Sequence, residues 1–114
     1  MDIQELRSGE VVVVAPRGRV DSTTSGDLEQ RLLQLVGGGE RRLVLDLAGV
    51  EYISSAGLRV LLVVARRMKA APGDLVLCAL TPPVRQVFDL AGFLPLFATE
   101  DTRAAALSRL APPR

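Results

Sequence analysis

The sequence predicts an α/β domain with a mixed, largely parallel sheet of four to five strands and about four helices. Three observations carry this. Two β-branched or apolar runs stand next to each other across Ser8-Gly9, an opening hairpin. After them, strand-like runs alternate with segments whose apolar residues recur at helical spacing. Gly and Pro clusters punctuate the joins. Strands separated by helices need crossover connections, which lay neighbouring strands parallel.

The elements follow in order. Ile3–Leu6 reads as a short first strand, and "VVVV" at Val11–Val14 as a buried second strand that ends at Pro16. In "DSTTSGDLEQRLLQLVGGGE" the period changes. Leu28, Leu32 and Leu35 share a helical face widened by Leu33 and Val36, the preceding Ser and Thr offer caps, and Gly37–Gly39 end the helix. "RRLVLDL" (Arg41–Leu47), apolar on both faces, suits the middle of a sheet. "SSAGLRVLLVVARRMK" is a second helix. Its stripe is Leu58, Leu61, Leu62 and Ala65, and Val60, Val63 and Val64 make a second apolar side, so it is buried twice or offers a face to a partner.

The turn Pro72-Gly73-Asp74 opens the strand "DLVLCAL". "TPPVRQVFDLAG" predicts a Thr81-capped helix with prolines in its first turn and Val84, Val87, Phe88 and Ala91 on one face. "LPLFA" predicts an edge strand, where Pro95 is tolerated, and "TEDTRAAALSRL" a closing helix capped by Thr99. Residues 1–114 read as one domain, with 110–114 a frayed tail.

Composition narrows the function. Fourteen Lys and Arg against thirteen Asp and Glu leave no field to draw nucleic acid or an anionic membrane. Aromatic content of 4% leaves no base-stacking platform. No secretory leader or membrane span is visible, which points to the cytoplasm. The lone Cys78 lies in an apolar run and reads as a small core residue, with no disulfide.

Enzyme chemistry finds few materials. Without histidine there is no Ser-His-Asp or Cys-His arrangement and no ordinary zinc site, so neither metal nor cofactor is expected. Lys69, the only lysine, is roughly 20 Å from Ser55 along a continuous helix, too far to serve it as a base. "VGGGERR" follows a helix instead of opening one, and reads as a C-cap rather than a phosphate loop. The acidic residues are scattered, with no calcium-loop spacing. The chain is not expected to be an enzyme.

Ser54 and Ser55 remain. Either caps a helix by accepting a first-turn N–H. Either is also a hydroxyl placed for modification, because free N–H groups and the helix dipole favour a phosphate there. Ala56 and Gly57 leave these serines uncovered and allow close approach of another backbone. Glycine in a first turn costs about 0.8–1.0 kcal/mol against alanine, so such an approach has to offset it.

"LVLDLAGVEYISSAGLRVLL" resembles the signature of STAS domains, particularly the stand-alone anti-sigma factor antagonists of bacteria. "GRVD" (Gly18–Asp21), "VLCALTPPVRQVFDLAGFLPLF" and "TRAAAL" extend the likeness through most of the chain. The resemblance implies the STAS fold and a regulatory role. The unmodified domain binds a serine-kinase anti-sigma factor, a GHKL-type ATPase, and so frees a sigma factor. Phosphorylation at the start of the second helix dissolves the complex, and a PP2C-type phosphatase restores it.

Laid on "SSAGL", the family pattern puts the modified position at Ser55, with Ser54, where the family usually has Asp, as second choice. The implied docking surface is Asp21, Ser54, Ser55, Ala56, Gly57, Leu58 and Arg59 of a monomer. An alternative within the family is a binding subunit of a lipid-transport ATPase or sensory scaffold without serine phosphorylation. Nucleotide binding, proposed for some members, finds no phosphate loop here.

Overall fold

The computed structural model describes residues 1–111, in which six strands and four α-helices alternate. They are β1 (Asp2–Ser8), β2 (Val11–Val20), α1 (Ser25–Gly37), β3 (Arg42–Asp46), β4 (Val50–Ile53), α2 (Ser55–Ala70), β5 (Asp74–Cys78), α3 (Pro82–Leu90), β6 (Ala98–Glu100) and α4 (Arg103–Leu110). The strand order is β1-β2-β3-β5-β6, with β4 paired separately to β2. Among the described strand pairs, β1–β2 alone is antiparallel. The predicted class and the opening hairpin hold, and β4 adds a strand to the expected four to five.

Period-two alternation sorts the sheet's side chains onto two faces. Val12, Val14, Leu43, Leu45 and Leu77 join the larger core, which α1, α2 and α3 cover through Leu28, Leu32, Leu61, Val64, Val84 and Phe88. Val11, Val13, Val44, Val76 and Cys78 face the other way, onto Ala106 and Leu110 of α4. β3 is apolar on both faces because both faces are covered, as its composition predicts. Cys78 is fully buried, also as predicted.

Several boundaries differ from the sequence reading. β2 does not end at Pro16 but continues to Val20. Its parallel partner is β3 at Val12–Val14 and β4 at Gly18–Val20. Pro16 lies in the gap between them, where no parallel ladder bond is lost to its missing N–H. Gly18, at φ +95°, and a register shift after it turn the strand toward its new neighbour.

"LPL" forms a 3₁₀ turn (Leu94–Leu96), which Pro95's fixed φ suits, and the edge strand lies two residues further on. Thr99 sits in that strand opposite Leu77, so Thr102 caps α4 instead, its hydroxyl accepting the Ala105 N–H at 3.0 Å. Thr81 precedes α3, but its hydroxyl donates to the Val50 carbonyl at 3.0 Å, tying α3 to β4 rather than capping. Leu110 closes α4 and is buried. Of the predicted frayed tail, residues 112–114 lie outside the described residues.

Candidate functional site

Two parallel strands end side by side at this site. Val20 pairs with Ile53, and the Ser54 N–H donates to the Val20 carbonyl at 2.8 Å. "GRVD" and "SSAGL" therefore meet at the carboxyl ends of β2 and β4, although more than thirty residues separate them in the chain. Ligand and partner sites of parallel α/β sheets gather at this edge.

The ladder bond holds Ser54 extended, at φ −92° and ψ 174°, as the N-cap of α2. Its hydroxyl accepts the Gly57 N–H at 3.3 Å. Ser55 is then the first helical residue and is exposed. Of the two serines, Ser54 takes the cap and Ser55 is left exposed at the helix start.

Gly57 explains how the helix can begin so close to the sheet. A Cβ there would stand 2.7 Å from Ile53 Cγ1, 2.8 Å from Val20 Cγ1 and 3.1 Å from the Val20 carbonyl oxygen. The close approach expected from the small residues is made by β2. Leu58, also expected at the docking surface, is instead in the core at 4% exposed, and Gly57 is buried beside it beneath the start of α2. Arg59 is exposed, and Ala56 and Ser54 are half-buried.

Asp21 organises the loop between β2 and α1. Its carboxylate accepts the Thr23 hydroxyl at 2.7 Å and the Thr23 N–H at 3.0 Å. The Thr23 hydroxyl, then the backbone bond, hold this carboxyl below the usual carboxylate range. The Arg19 guanidinium lies 3.6 Å from it and stacks over the Tyr52 ring, 4.4 Å from the centroid. Arg19 and Tyr52 are register partners on β2 and β4. Sequence reasoning missed this exposed pair; the signal was a lone tyrosine two residues before the serines, beside an arginine inside "GRVD".

Thr24, the backbone N-cap of α1, spends its hydroxyl on this loop, donating to the Arg19 carbonyl at 2.8 Å and accepting the Asp21 N–H at 2.9 Å. The first turns of α1 and α2 then flank one open hollow of about 380 Å³. No cluster of metal-ligating side chains occurs among the described residues.

The match to known proteins runs through this same edge and nearly the whole chain. Residues 2–106 match the STAS domain family. The chain belongs to the STAS family. BtrV of Bordetella bronchiseptica, named for anti-sigma factor antagonism, is 47% identical to this STAS domain over 96 residues, covering 84% of this chain and 83% of BtrV.

Among solved structures, an anti-sigma factor antagonist from Mycobacterium paratuberculosis superposes with a TM-score of 0.87 at 28% identity, covering 96% of this chain and 92% of that one. Bacillus SpoIIAA in its phosphorylated form shares the fold, with a TM-score of 0.75 at 20% identity over 96% of this chain and 100% of its own. By sequence and structure this STAS domain falls with the anti-sigma factor antagonists. None of its described helices is long and apolar enough to cross a membrane.

Proposed function

We infer that this STAS domain antagonises an anti-sigma factor through a partner switch set by Ser55. Unphosphorylated, it binds a serine-kinase anti-sigma factor of the GHKL ATPase type in the cytoplasm, as a monomer, and frees a sigma factor. The kinase transfers the γ-phosphoryl group of ATP to the Ser55 oxygen, releasing ADP and the hydroxyl proton. The complex then separates, and a PP2C-type phosphatase hydrolyses the phosphoserine to restore the binding form.

The observation that carries this reading is the division of labour between the serines. Ser54 takes the capping bond, so Ser55 is exposed at a helix start without being needed to hold it. The 47% identity to BtrV supports an anti-sigma factor as the partner.

The energetics suit a switch. A phosphate adds about −1.5 to −2 charges at pH 7. Near a helix N-terminus such charge is stabilising by about 0.3–1 kcal/mol, so the fold tolerates it. Buried unpaired in an interface it costs several kcal/mol, roughly a hundredfold or more in affinity.

The test uses the anti-sigma factor kinase of the same organism with ATP. The domain gains one phosphate, which peptide mapping places on Ser55; Ser55→Ala abolishes the gain and Ser54→Ala keeps it. A phosphate on Ser54, or none, overturns the assignment.

A further inference from the structure

The hollow between the first turns of α1 and α2 is lined by Ser25, Gly26, Glu29, Ser55, Ala56 and Arg59, together with Val60. We propose that it is an internal phosphate receptor, in which a phosphoryl group on Ser55 is held by Arg59, the Ser25 hydroxyl and the free N–H groups that open α1. This rests on the reading of Ser55 as phosphoacceptor and adds to it where the phosphate goes.

Ser25 points to a ligand. It is only 7% exposed, and its hydroxyl makes no hydrogen bond among the described residues. Buried hydroxyls are nearly always paired. No buried polar side-chain atom among the described residues is both sealed and unpaired, so this hydroxyl keeps a small accessible area, and Ser25 is among the residues that line the hollow. A nearly buried hydroxyl in the wall of an open hollow suits an acceptor brought from outside.

The start of α1 points the same way. Thr24 has turned its hydroxyl to the Arg19 carbonyl, leaving α1 without a side-chain cap. The Ser25 and Leu28 N–H groups find backbone carbonyls, whereas those of Gly26 and Asp27 find no partner among the described residues. In α2 the equivalent need is met by Ser54. The uncapped helix is the one facing Ser55 across the hollow.

Charge closes the argument. Arg59 lies four residues after Ser55, on the same helix face one turn on, and has no ion-pair partner among the described residues. Asp27 turns its carboxylate to the Met1 amino group at 3.3 Å, which leaves Glu29 as the opposing charge in the lining. Arg59 and two helix termini of about +0.5 each outweigh Glu29 by roughly one unit. A dianion meets net positive potential there. The phosphorylated form is thereby a defined folded state, and a phosphatase has to draw the phosphate out of the hollow.

Phosphoserine incorporated at position 55 during translation tests this without any kinase. Nitrogen-15 spectra of that protein are expected to show the Gly26 and Asp27 amides moved downfield from the unmodified chain. Phosphorus-31 titration is expected to show the second phosphate pKa below its ordinary value of about 6. Arg59→Gln should return that pKa toward about 6, and Ser25→Ala should shrink the Gly26 displacement, with the remaining amides unmoved. Unmoved α1 amides with an ordinary pKa overturn the proposal. So does a response of those amides to inorganic phosphate on the unmodified chain but not to phosphoserine 55, which makes the hollow a site for free phosphate. Failure here leaves the kinase switch standing, and a chain that no kinase modifies leaves this measurement intact.

Discussion

Ser54 and Gly57 close the first turn of α2 on each other: the Ser54 hydroxyl accepts the Gly57 N–H at 3.3 Å, and Gly57 rests its bare Cα on Val20 and Ile53. The cap and the close approach are one joint, and they free Ser55 from any structural duty. Removing the cap with Ser54→Ala should cost about 1 kcal/mol in urea denaturation. Ser55→Ala, at an exposed position, should stay within about 0.5 kcal/mol of the parent. Equal losses in the two variants would mean the serines share the cap.

Gly57→Ala sets two effects against each other. Alanine gains about 0.8–1.0 kcal/mol of helix propensity. Its methyl must fit where Val20 and Ile53 side chains stand 2.8 and 2.7 Å away and the Val20 carbonyl oxygen 3.1 Å away. Overpacking of this kind costs about 1–3 kcal/mol, and one of the neighbours is backbone, so the clash should prevail. The variant should melt below the parent. A higher melting temperature would show that α2 can lift from β2 at little cost.

Ser55→Asp separates fold from recognition. Its carboxylate sits at a helix N-terminus, where negative charge is favourable, so stability should change by no more than about 1 kcal/mol. Facing a pocket built for a neutral hydroxyl, the same charge should weaken binding to the anti-sigma factor at least about tenfold, because its desolvation is not repaid. Titration calorimetry and thermal melting on one preparation decide. Unchanged affinity would move the switch away from the helix mouth.

Asp21 holds its own loop together, so a lysine there would disturb the fold along with any partner contact. Asp21→Asn keeps an oxygen for the Thr23 N–H and hydroxyl and removes only the charge. If the charge is read by the partner, affinity should fall by far more than the small loss of stability at pH 7 that removing the carboxylate itself causes. The lowered carboxyl pKa adds a check. Stability from these bonds is present above the unfolded-state value near 3.8 and is lost as pH falls through the lower folded value. The Asn variant should lack that part of the acid sensitivity.

Cys78 gives a prediction at the other end of the pH scale. Burial, and then the Asp46 carboxylate, push its thiol up to about 11, against the opposing pull of Arg103. A raised thiol pKa contributes stability that is full below the unfolded value of about 9.0 and is lost as pH rises toward about 11. Replacing Cys78 with alanine or valine should flatten the stability profile across that window. The native thiol should resist alkylation at pH 8 and react once the chain is unfolded. Rapid native labelling would show that α4 opens readily.

Much of this protein is decided within a few residues of chain and is therefore legible in the sequence. The β-branched and apolar runs place β2, β3 and β5 inside a sheet, and the helical-spacing stripes that start at Leu28 and Leu58 place α1 and α2 on it. The pair of serines before Ala-Gly marks the helix mouth, and a chain without histidine cannot build a Ser-His-Asp or Cys-His arrangement. Choices between near-equal local options needed the tertiary structure. Adjacent Ser and Thr residues cap almost equally well, so long-range pairing selects among them: the Val20 carbonyl holds Ser54 extended, and the β5–β6 register takes Thr99 into a strand and leaves the cap to Thr102. Pro16 ends a strand by local rule, yet β2 passes through it because its neighbours change there. The hollow joining Ser25 to Ser55 and Arg59 exists only because parallel pairing sets two helix starts side by side, a juxtaposition carried by no spacing along the chain.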